Sequence, residues 1–304
     1  MTKLTKKQTG INMMQAQIQT LTTTDQQSLC VKTWGDAQKT PLVLVHGYPD
    51  NQEVWEKMIE ELVVDYYIVT YDVRGAGSSS IPKRIRDYRL PRLSLDLQEV
   101  VNQILGERPF HMAAHDWGSI QSWESVTEPK LKGRLLSYTT ISGPCLDHAS
   151  LYLREKFKSA PSNVFKMLTK SWYIGAFHFP LLAPTVWKFF SPEKWDKILT
   201  GLEKMQGLPL SHNIAADGKN GINLYRANFV PTLTQPRQRY AQCPVQAIIL
   251  KQDSFVSPEY IREAMPQWVE HFETLELDAN HCAILSQPKQ VAELIHQFIQ
   301  RQTR

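Results

Sequence analysis

The sequence predicts an α/β protein with a mostly parallel, doubly wound sheet and a helical segment inserted near the middle of the chain. Three observations lead to this prediction. Short apolar runs alternate with helix-like stretches, and turns containing glycine follow several of the runs. The alternation stops between residues 145 and 240 and then resumes. A length of 304 residues suits one α/β domain with such an insertion.

The predicted strands are apolar runs bounded by turn residues. An edge hairpin is expected over residues 17–34, where apolar side chains alternate on either side of a polar turn. Buried strands are expected at residues 41–45, 66–71, 110–114, 135–141, 245–250 and 272–277. Helices are expected at residues 54–63, 93–105 and 288–301, where apolar residues recur at helical spacing. Two further helices are expected, one that follows residue 119 and continues through Trp123, and one that begins at Pro258.

The interval between residues 145 and 240 is rich in aromatic side chains and has helix-like segments without strand runs. We therefore predict that residues 1–144 and 241–304 form the α/β core. Residues 145–240 are expected to form a helical cap between the two halves of one sheet.

Composition and charge exclude several classes of protein. The net charge is +4 with both signs scattered, which does not predict a nucleic-acid partner. No apolar run approaches the ~18 residues of a membrane span, and the N-terminus lacks the apolar core of a signal peptide. The four cysteines are far apart and predict neither disulfides nor zinc. We expect a cytoplasmic protein with no stable membrane insertion and no metal or cofactor, either monomeric or homodimeric.

The stretch AHDWGS at residues 114–119 places an acid directly after a buried strand. A buried carboxylate is costly unless it is paired or used in chemistry. Small residues around Asp116 permit the tight strand-to-helix turn that lifts a nucleophile into an active site. No G-x-S-x-G motif occurs, and carboxylates can act as nucleophiles by forming esters. Asp116 is therefore the predicted nucleophile, and its neighbour His115 is expected to be structural.

A candidate base and a candidate acid follow the last two predicted strands. Asp253 comes after the strand at 245–250, and His281 comes after the strand at 272–277. The order nucleophile, acid, base is that of α/β-hydrolases, and ligands bind at the carboxyl ends of parallel strands. We predict that His281 activates water and that Asp253 orients it. Asp147, just past another strand, is an alternative acid.

The turn HGYP at residues 46–49 predicts a site for a developing oxyanion. Such a site needs preorganised backbone donors, which the N–H groups of Tyr48 and Trp117 would supply. His46, Pro49 and Trp172 are expected in the wall of the substrate pocket. The sequence also permits a cis peptide bond before Pro49.

Five motifs, HGYPD, DVRGAGSS, AHDWGS, KQDSFV and DANHC, occur in an order that resembles the epoxide hydrolases of the α/β-hydrolase superfamily. The resemblance extends from about Pro41 to the last helix and implies the α/β-hydrolase fold, with a sheet of about eight strands and an inserted cap. Several stretches resemble the hydrolase half of bacterial two-domain proteins in which it is fused to a short-chain dehydrogenase. This chain ends after the last hydrolase helix, so we expect that second domain to be absent.

The resemblance also implies two cap tyrosines that protonate the opened epoxide. Tyr173 begins YIGAFHFP, and Tyr225 lies in NLYRAN, where Leu224 replaces the tryptophan of the family's pattern. A phenol with a pKa near 10 stays protonated at neutral pH yet can protonate an alkoxide. Tyr152 and Tyr240 remain alternatives to Tyr173.

The implied reaction converts a small hydrophobic epoxide and water into a vicinal diol through an ester on Asp116. Haloalkane dehalogenases share HG-x-P and HDWG, so dehalogenation is the alternative. Trp117 could donate to a halide, but Tyr48 stands where such enzymes often have a second donor, Asn. A non-catalytic ligand-binding protein on the same scaffold is the third hypothesis.

Overall fold

A computed structural model describes residues 14–179, 182–189, 191–203 and 211–302. Apolar, β-branched runs form an eight-stranded sheet with the strand order β1-β2-β4-β3-β5-β6-β7-β8. The strands are β1 (Gln17–Thr22), β2 (Ser28–Trp34), β3 (Thr40–Val45), β4 (Tyr66–Tyr71), β5 (Phe110–His115), β6 (Leu135–Ile141), β7 (Val245–Leu250) and β8 (Phe272–Leu277).

Six adjacent strands, β3 to β8, pair in parallel, whereas the β1–β2 hairpin joins β4 in the antiparallel sense. The central strands are buried along nearly their whole length because helices cover both faces of the sheet. The predicted fold, a mostly parallel sheet of about eight strands, is confirmed.

The helices cover the two faces and the carboxyl edge of the sheet. They are α1 (Glu56–Leu62), α2 (Leu90–Leu105), α3 (Trp117–Val126), α4 (Leu146–Ser159), α5 (Pro161–Lys170), α6 (Trp172–Phe177), α7 (Leu182–Val186), α8 (Pro192–Glu203), α9 (Ile214–Thr234), α10 (Glu259–Arg262), α11 (Ala283–Ser286) and α12 (Pro288–Gln302). Helices α2 and α3 bury their apolar stripes on one face, and α1 and α12 on the other. Within the described residues, none of these helices has the length and apolarity to span a bilayer.

Helices α4 to α9 lie between β6 and β7, in the interval assigned to the cap. Polar side chains of α9 fix this region to its surroundings. The Asn228 side chain accepts a hydrogen bond from the Leu90 N–H and donates one to the Tyr88 carbonyl, both at 2.9 Å. Arg226 donates to the carbonyls of Phe177 and Phe179 at 2.7 and 2.8 Å. These bonds tie α9 both to the core and to α6. The domain division itself stays a prediction.

Candidate active site

Asp116 occupies a sharp turn between β5 and α3. Its φ angle is +52°, a region that residues other than glycine rarely adopt and that is found at strained functional positions. Its N–H donates to the carbonyl of Ile141 at 3.0 Å, which ties the turn to the end of β6. The carboxylate is thereby presented at the carboxyl edge of the sheet.

The turn at Asp116 depends on glycines at points of close backbone approach. A Cβ on Gly118 would lie 2.1 Å from the carbonyl oxygen of Val45, and a Cβ on Gly47 would lie 2.6 Å from the Cβ of Asp116. Neither position has space for a side chain, because the opposing atoms belong to backbone or to Asp116. The small residues of the two motifs let the loop after β3 pack directly against the turn.

Gly118→Ala is therefore expected to destabilise the protein by about 3 kcal/mol or more, since backbone must move to accommodate the methyl group. Gly175→Ala is the matched control, because a Cβ there meets nothing within 4 Å and the residue is helical. Urea unfolding of both variants measures the difference. A Gly118→Ala variant as stable as Gly175→Ala would contradict this account of the turn.

Two backbone donors point at the Asp116 carboxylate. The N–H of Tyr48 donates to Oδ1 at 2.7 Å, and the N–H of Trp117 also hydrogen-bonds the carboxylate. Burial raises the pKa of Asp116 above its ordinary value, while His281 and these two N–H groups act in the opposite direction. The two predicted oxyanion donors thus both bond the carboxylate of the predicted nucleophile. The Tyr48–Pro49 peptide bond is cis.

His281 lies between the two predicted carboxylates. Its Nε2 is 3.6 Å from Asp116 Oδ2, and its Nδ1 is 3.1 Å from Asp253 Oδ2. All three side chains are buried, and they come from the loops after β5, β7 and β8. The structure brings together the three residues that the sequence separates by 137 and 28 positions. A base facing the nucleophile and an acid behind the base is the geometry that water activation requires.

Ser142, which the sequence analysis did not select, contacts both partners of this pair. Its Oγ donates to Asp253 Oδ2 and lies 2.9 Å from His281 Nδ1. Burial by itself would raise the pKa of Asp253, but the charge of His281 and the hydrogen bonds from His281, Ser142 and the N–H of Val256 hold it below its ordinary value. Asp253 therefore stays ionised and orients the imidazole. The only sequence signal is the Ser142–Gly143 pair at the end of β6.

His115 is positioned against the backbone of His281. Its Nε2 lies 2.9 Å from the His281 carbonyl oxygen, and burial lowers its pKa to about 3. A neutral ring at this pKa donates from Nε2 and fixes the loop that carries the base. The expectation that His115 is structural agrees with this contact.

The two predicted cap tyrosines lie together and line the same cavities as Asp116. Tyr225 on α9 packs edge-on against Trp117, with ring centroids 4.8 Å apart, and its ring lies 6.1 Å from that of Tyr173 on α6. The two phenols share a hydrogen bond. Burial raises the pKa of both phenols, and the negative charge of Asp116 raises it further. Both are therefore proton donors at neutral pH.

Two apolar cavities meet at Asp116, Tyr173, Tyr225 and Phe255. The smaller has a volume of about 400 Å³ and extends under α4 and α9; the larger has about 600 Å³ and extends beneath α6 to α8, reaching His281. These volumes are typical of small-molecule sites. Pro49 and Trp172, predicted in the pocket wall, line the larger cavity, Trp172 at its exposed edge.

His46 lines neither large cavity, but with Pro49 it borders a smaller cleft of about 10 Å³, so its place in the pocket wall stays a prediction. The ring is buried, its Nε2 accepts the N–H of Val73 at 2.8 Å, and its Nδ1 lies 2.9 Å from the Gly47 carbonyl oxygen. The Nε2 contact fixes the loop after β3 to the loop after β4, and the Nδ1 contact lies within the loop after β3. The residue supports the donor loop from behind.

The alternative residues from the sequence lie elsewhere. Asp147 forms an ion pair at 2.8 Å with Arg237, which also pairs with Glu124, so it fastens the two ends of the cap. Tyr152 donates to Glu263 at 2.7 Å, and Tyr240 is 57% exposed and packs on Trp268. Neither tyrosine lines the two large cavities.

Asp50 is a second residue that the sequence analysis quoted within HGYPD but did not select. It lines the larger cavity together with Asp116 and His281. Burial and the neighbouring charge of Asp116 raise its pKa to about 7. Two carboxyl groups therefore face one cavity, and Asp50 changes its charge near neutral pH.

The raised pKa of Asp50 has a consequence for stability. Between its ordinary value of 3.8 and about 7, the folded protein keeps a proton that the unfolded chain loses, so the free energy of unfolding falls as pH rises. Asp50→Asn removes this loss. At pH 8 the free energy of unfolding of the variant is expected to exceed that of wild type by about 2 kcal/mol, after allowance for the partial exposure of Asp50. At pH 5 the difference is expected to be smaller.

Urea unfolding at the two pH values measures this difference. Glu61→Gln, at an exposed position on α1, is the control and is expected to change stability equally at both. An Asp50→Asn difference that does not depend on pH would contradict the raised pKa.

The order of the strands, the turn at Asp116 and the donor loop after β3 agree with a comparison of the chain with known families. Residues 40–288 match the family of the alpha/beta hydrolase fold. The chain belongs to this family. Its match covers the core strands from β3 onward together with the inserted cap.

This α/β-hydrolase-fold protein has curated relatives named as epoxide hydrolases and as an oxidoreductase. It is 29% identical over 276 residues to "Probable oxidoreductase EphD" of Mycobacterium tuberculosis, which is 87% of this chain and 46% of that protein. Epoxide hydrolase 3 of Xenopus tropicalis is 25% identical over 280 residues, which is 87% of this chain and 72% of that protein. The chain spans about half the length of the EphD relatives.

Solved structures share the fold of this α/β-hydrolase-fold protein. A mutant epoxide hydrolase of Vigna radiata superposes with a TM-score of 0.76 at 20% identity, covering 94% of this chain and 99% of that one. An epoxide hydrolase mutant from Bacillus megaterium, in complex with its naphthyloxy-propanediol product, superposes with a TM-score of 0.75 at 18% identity, covering 93% and 100%. At these identities the likeness establishes the fold.

Proposed function

We propose that this protein is an epoxide hydrolase that converts apolar epoxides to vicinal diols. The observation that carries the proposal is the pair of protonated phenols, Tyr173 and Tyr225, facing the same cavities as Asp116. Opening an epoxide turns its oxygen into an alkoxide, so a proton donor is needed opposite the nucleophile. The relatives named as epoxide hydrolases support this activity.

The first step forms an ester on Asp116. Oδ2, the oxygen that does not accept the Tyr48 N–H, attacks one epoxide carbon while the bond between that carbon and the ring oxygen breaks. The ring oxygen takes a proton from Tyr173 or Tyr225. The result is a hydroxyalkyl ester, and the raised pKa of Asp116 makes its carboxylate the stronger nucleophile.

The second step returns the enzyme to its starting state. His281 Nε2 removes a proton from water, which attacks the carbonyl carbon of the ester, and Asp253 stabilises the resulting imidazolium. The N–H of Tyr48, which bonds Oδ1, and the N–H of Trp117, which also bonds the carboxylate, stabilise the developing oxyanion. Collapse expels the diol oxygen, which takes the proton from His281, and leaves Asp116 as a carboxylic acid. The proton of that acid returns to the tyrosinate through solvent, which restores the carboxylate and the phenol.

The proposal is tested with wild-type protein on a panel of epoxides and alkyl halides, with diol and halide release measured separately. Diol formation without halide release is the expected result. Halide release without diol formation would select the dehalogenase alternative, which uses the same nucleophile. Binding of the epoxides without either product would select the non-catalytic alternative.

A further inference from the structure

Among the large apolar side chains that the cap exposes to solvent, four lie on or beside α5 and α6. Phe165 and Leu168 on α5 are 72% and 47% exposed, and Trp172 and Phe179, at the two ends of the α6 region, are 73% and 60% exposed. We refer to these four side chains as the cap rim. Contiguous exposed apolar patches are uncommon on soluble monomers and mark interaction sites.

Three of the four cap-rim side chains line one of the two cavities. Leu168 lines the smaller cavity, and Trp172 and Phe179 line the larger one. A side chain that is about half or more exposed and also lines a cavity stands at its mouth. Val230 and Leu233 on α9, which are 52% and 42% exposed, extend the apolar edge of the smaller cavity. An apolar molecule would therefore meet a continuous apolar path from the surface to Asp116.

Positive charge is concentrated in residues 145–240, although charges of both signs occur along the whole chain. Residues 145–240 contain 13 Lys and Arg but six Asp and Glu, whereas the rest of the chain contains 21 and 24. Between residues 156 and 197, which include the cap rim, there are seven lysines and two acids. Lys158, Lys194 and Lys197 are exposed. The region of the cap rim is thus the basic part of an otherwise slightly acidic chain.

We propose that the cap rim docks on an anionic lipid surface. Aromatic side chains favour the boundary between water and lipid, and lysines near an anionic bilayer each add attraction. Docking would place both cavity mouths against the lipid, so that an apolar substrate reaches Asp116 without crossing water. This last consequence rests on the proposed epoxide hydrolase function, whereas the docking itself does not.

The test is co-sedimentation of the full chain with vesicles, without substrate. The vesicles contain either phosphatidylcholine alone or equimolar phosphatidylcholine and phosphatidylglycerol. Wild type is expected to bind the anionic vesicles, to bind the neutral ones much more weakly, and to be released by added salt. Phe165→Glu is expected to lower the partition coefficient by about tenfold or more, since it removes an inserted ring and adds a negative charge.

Val64→Glu is the matched control. Val64 is 57% exposed and precedes β4, at the amino ends of the parallel strands and so at the opposite edge of the sheet from the cap. Val64→Glu adds the same negative charge as Phe165→Glu and is expected to leave vesicle binding unchanged. Phe165 does not line either large cavity, so both variants should keep wild-type circular dichroism and wild-type turnover of styrene oxide.

Three results would overturn the docking proposal. The first is that wild type does not bind anionic vesicles. The second is that it binds both kinds of vesicle equally, and the third is that Phe165→Glu binds as well as wild type. A wild-type dimer that Phe165→Glu converts to monomer, without vesicle binding, would show instead that the cap rim joins two copies of this chain. Vesicle binding by a protein that does not turn over any epoxide would support docking while contradicting the proposed reaction.

Discussion

His281→Gln is expected to form the ester on Asp116 but not to hydrolyse it. Glutamine cannot take a proton from water, whereas the attack by Asp116 and the tyrosine donors remain in place. Steady-state diol formation should fall about 10⁴-fold. The intact mass of the protein should rise by the mass of the whole epoxide, on the peptide that contains Asp116. Intact and peptide mass spectrometry after exposure to an epoxide checks this result.

His212→Gln is the control for this experiment, because His212 is exposed and distant in sequence from the site. It should turn over epoxide like wild type without retaining an adduct. The double variant Asp116→Asn, His281→Gln should not gain mass. An adduct on another residue would contradict the assignment of Asp116 as the nucleophile. A mass gain equal to an alkyl group, seen only with alkyl halides, would favour dehalogenation.

Removing the cap phenols is expected to slow the first step. Tyr225→Phe and Tyr173→Phe should each lower kcat/KM for epoxides by about 10²-fold, and the double variant by about 10⁴-fold, because each single variant keeps one proton donor. The ring packing against Trp117 and Phe177 is preserved in both variants, so the fold should be unaffected. Single-turnover kinetics of ester formation measure the effect directly.

Tyr152→Phe and Tyr240→Phe are matched controls, since they remove the same hydroxyl group elsewhere in the cap or beside its end. Tyr152 bonds to Glu263, and Tyr240 is mostly exposed, so neither change should alter epoxide turnover. If epoxide turnover fell in Tyr152→Phe but not in Tyr173→Phe, then Tyr152 and not Tyr173 would be the second proton donor. An alkyl halide loses its halide ion without a proton. Turnover of alkyl halides should therefore be insensitive to all four changes if Asp116 attacks them.

The predicted and observed folds agree most closely where a local pattern carries the information. Apolar runs such as 41–45 and 245–250 became parallel strands, since a strand covered on both faces must be apolar at consecutive positions. The elbow at Asp116 also has a local cause, because the small residues that permit it lie within the motif. The helix predicted at 93–105 begins three residues earlier, at Leu90, where the Asn228 side chain caps its first N–H. That bond comes from a residue 138 positions away and leaves no local signal.

The site was less predictable where it depends on distant contacts. Ser142 and Asp50 look like ordinary turn residues in the sequence, and their significance arises only when β6, β7 and the loop after β3 meet. His46 was expected in the pocket wall because it stands beside the predicted donor loop. Its ring bonds to the backbone of Val73, on the loop after β4. The alternative acid, Asp147, differs from Asp253 in its ion pair with Arg237, a contact between residues that are far apart in the sequence.

The sequence by itself determined the order of strands and helices, the turn that presents Asp116, and the candidate residues at the ends of β7 and β8. Those features follow from periodicity and from side-chain size, which are properties of neighbouring residues. Tertiary structure alone decided the distances between Asp116, His281 and Asp253, the pairing of the two cap phenols, and the two cavities that meet at them. These depend on how parallel strands align their carboxyl ends and on how the cap packs over them, and burial at that junction sets the pKa values on which the proposed chemistry depends.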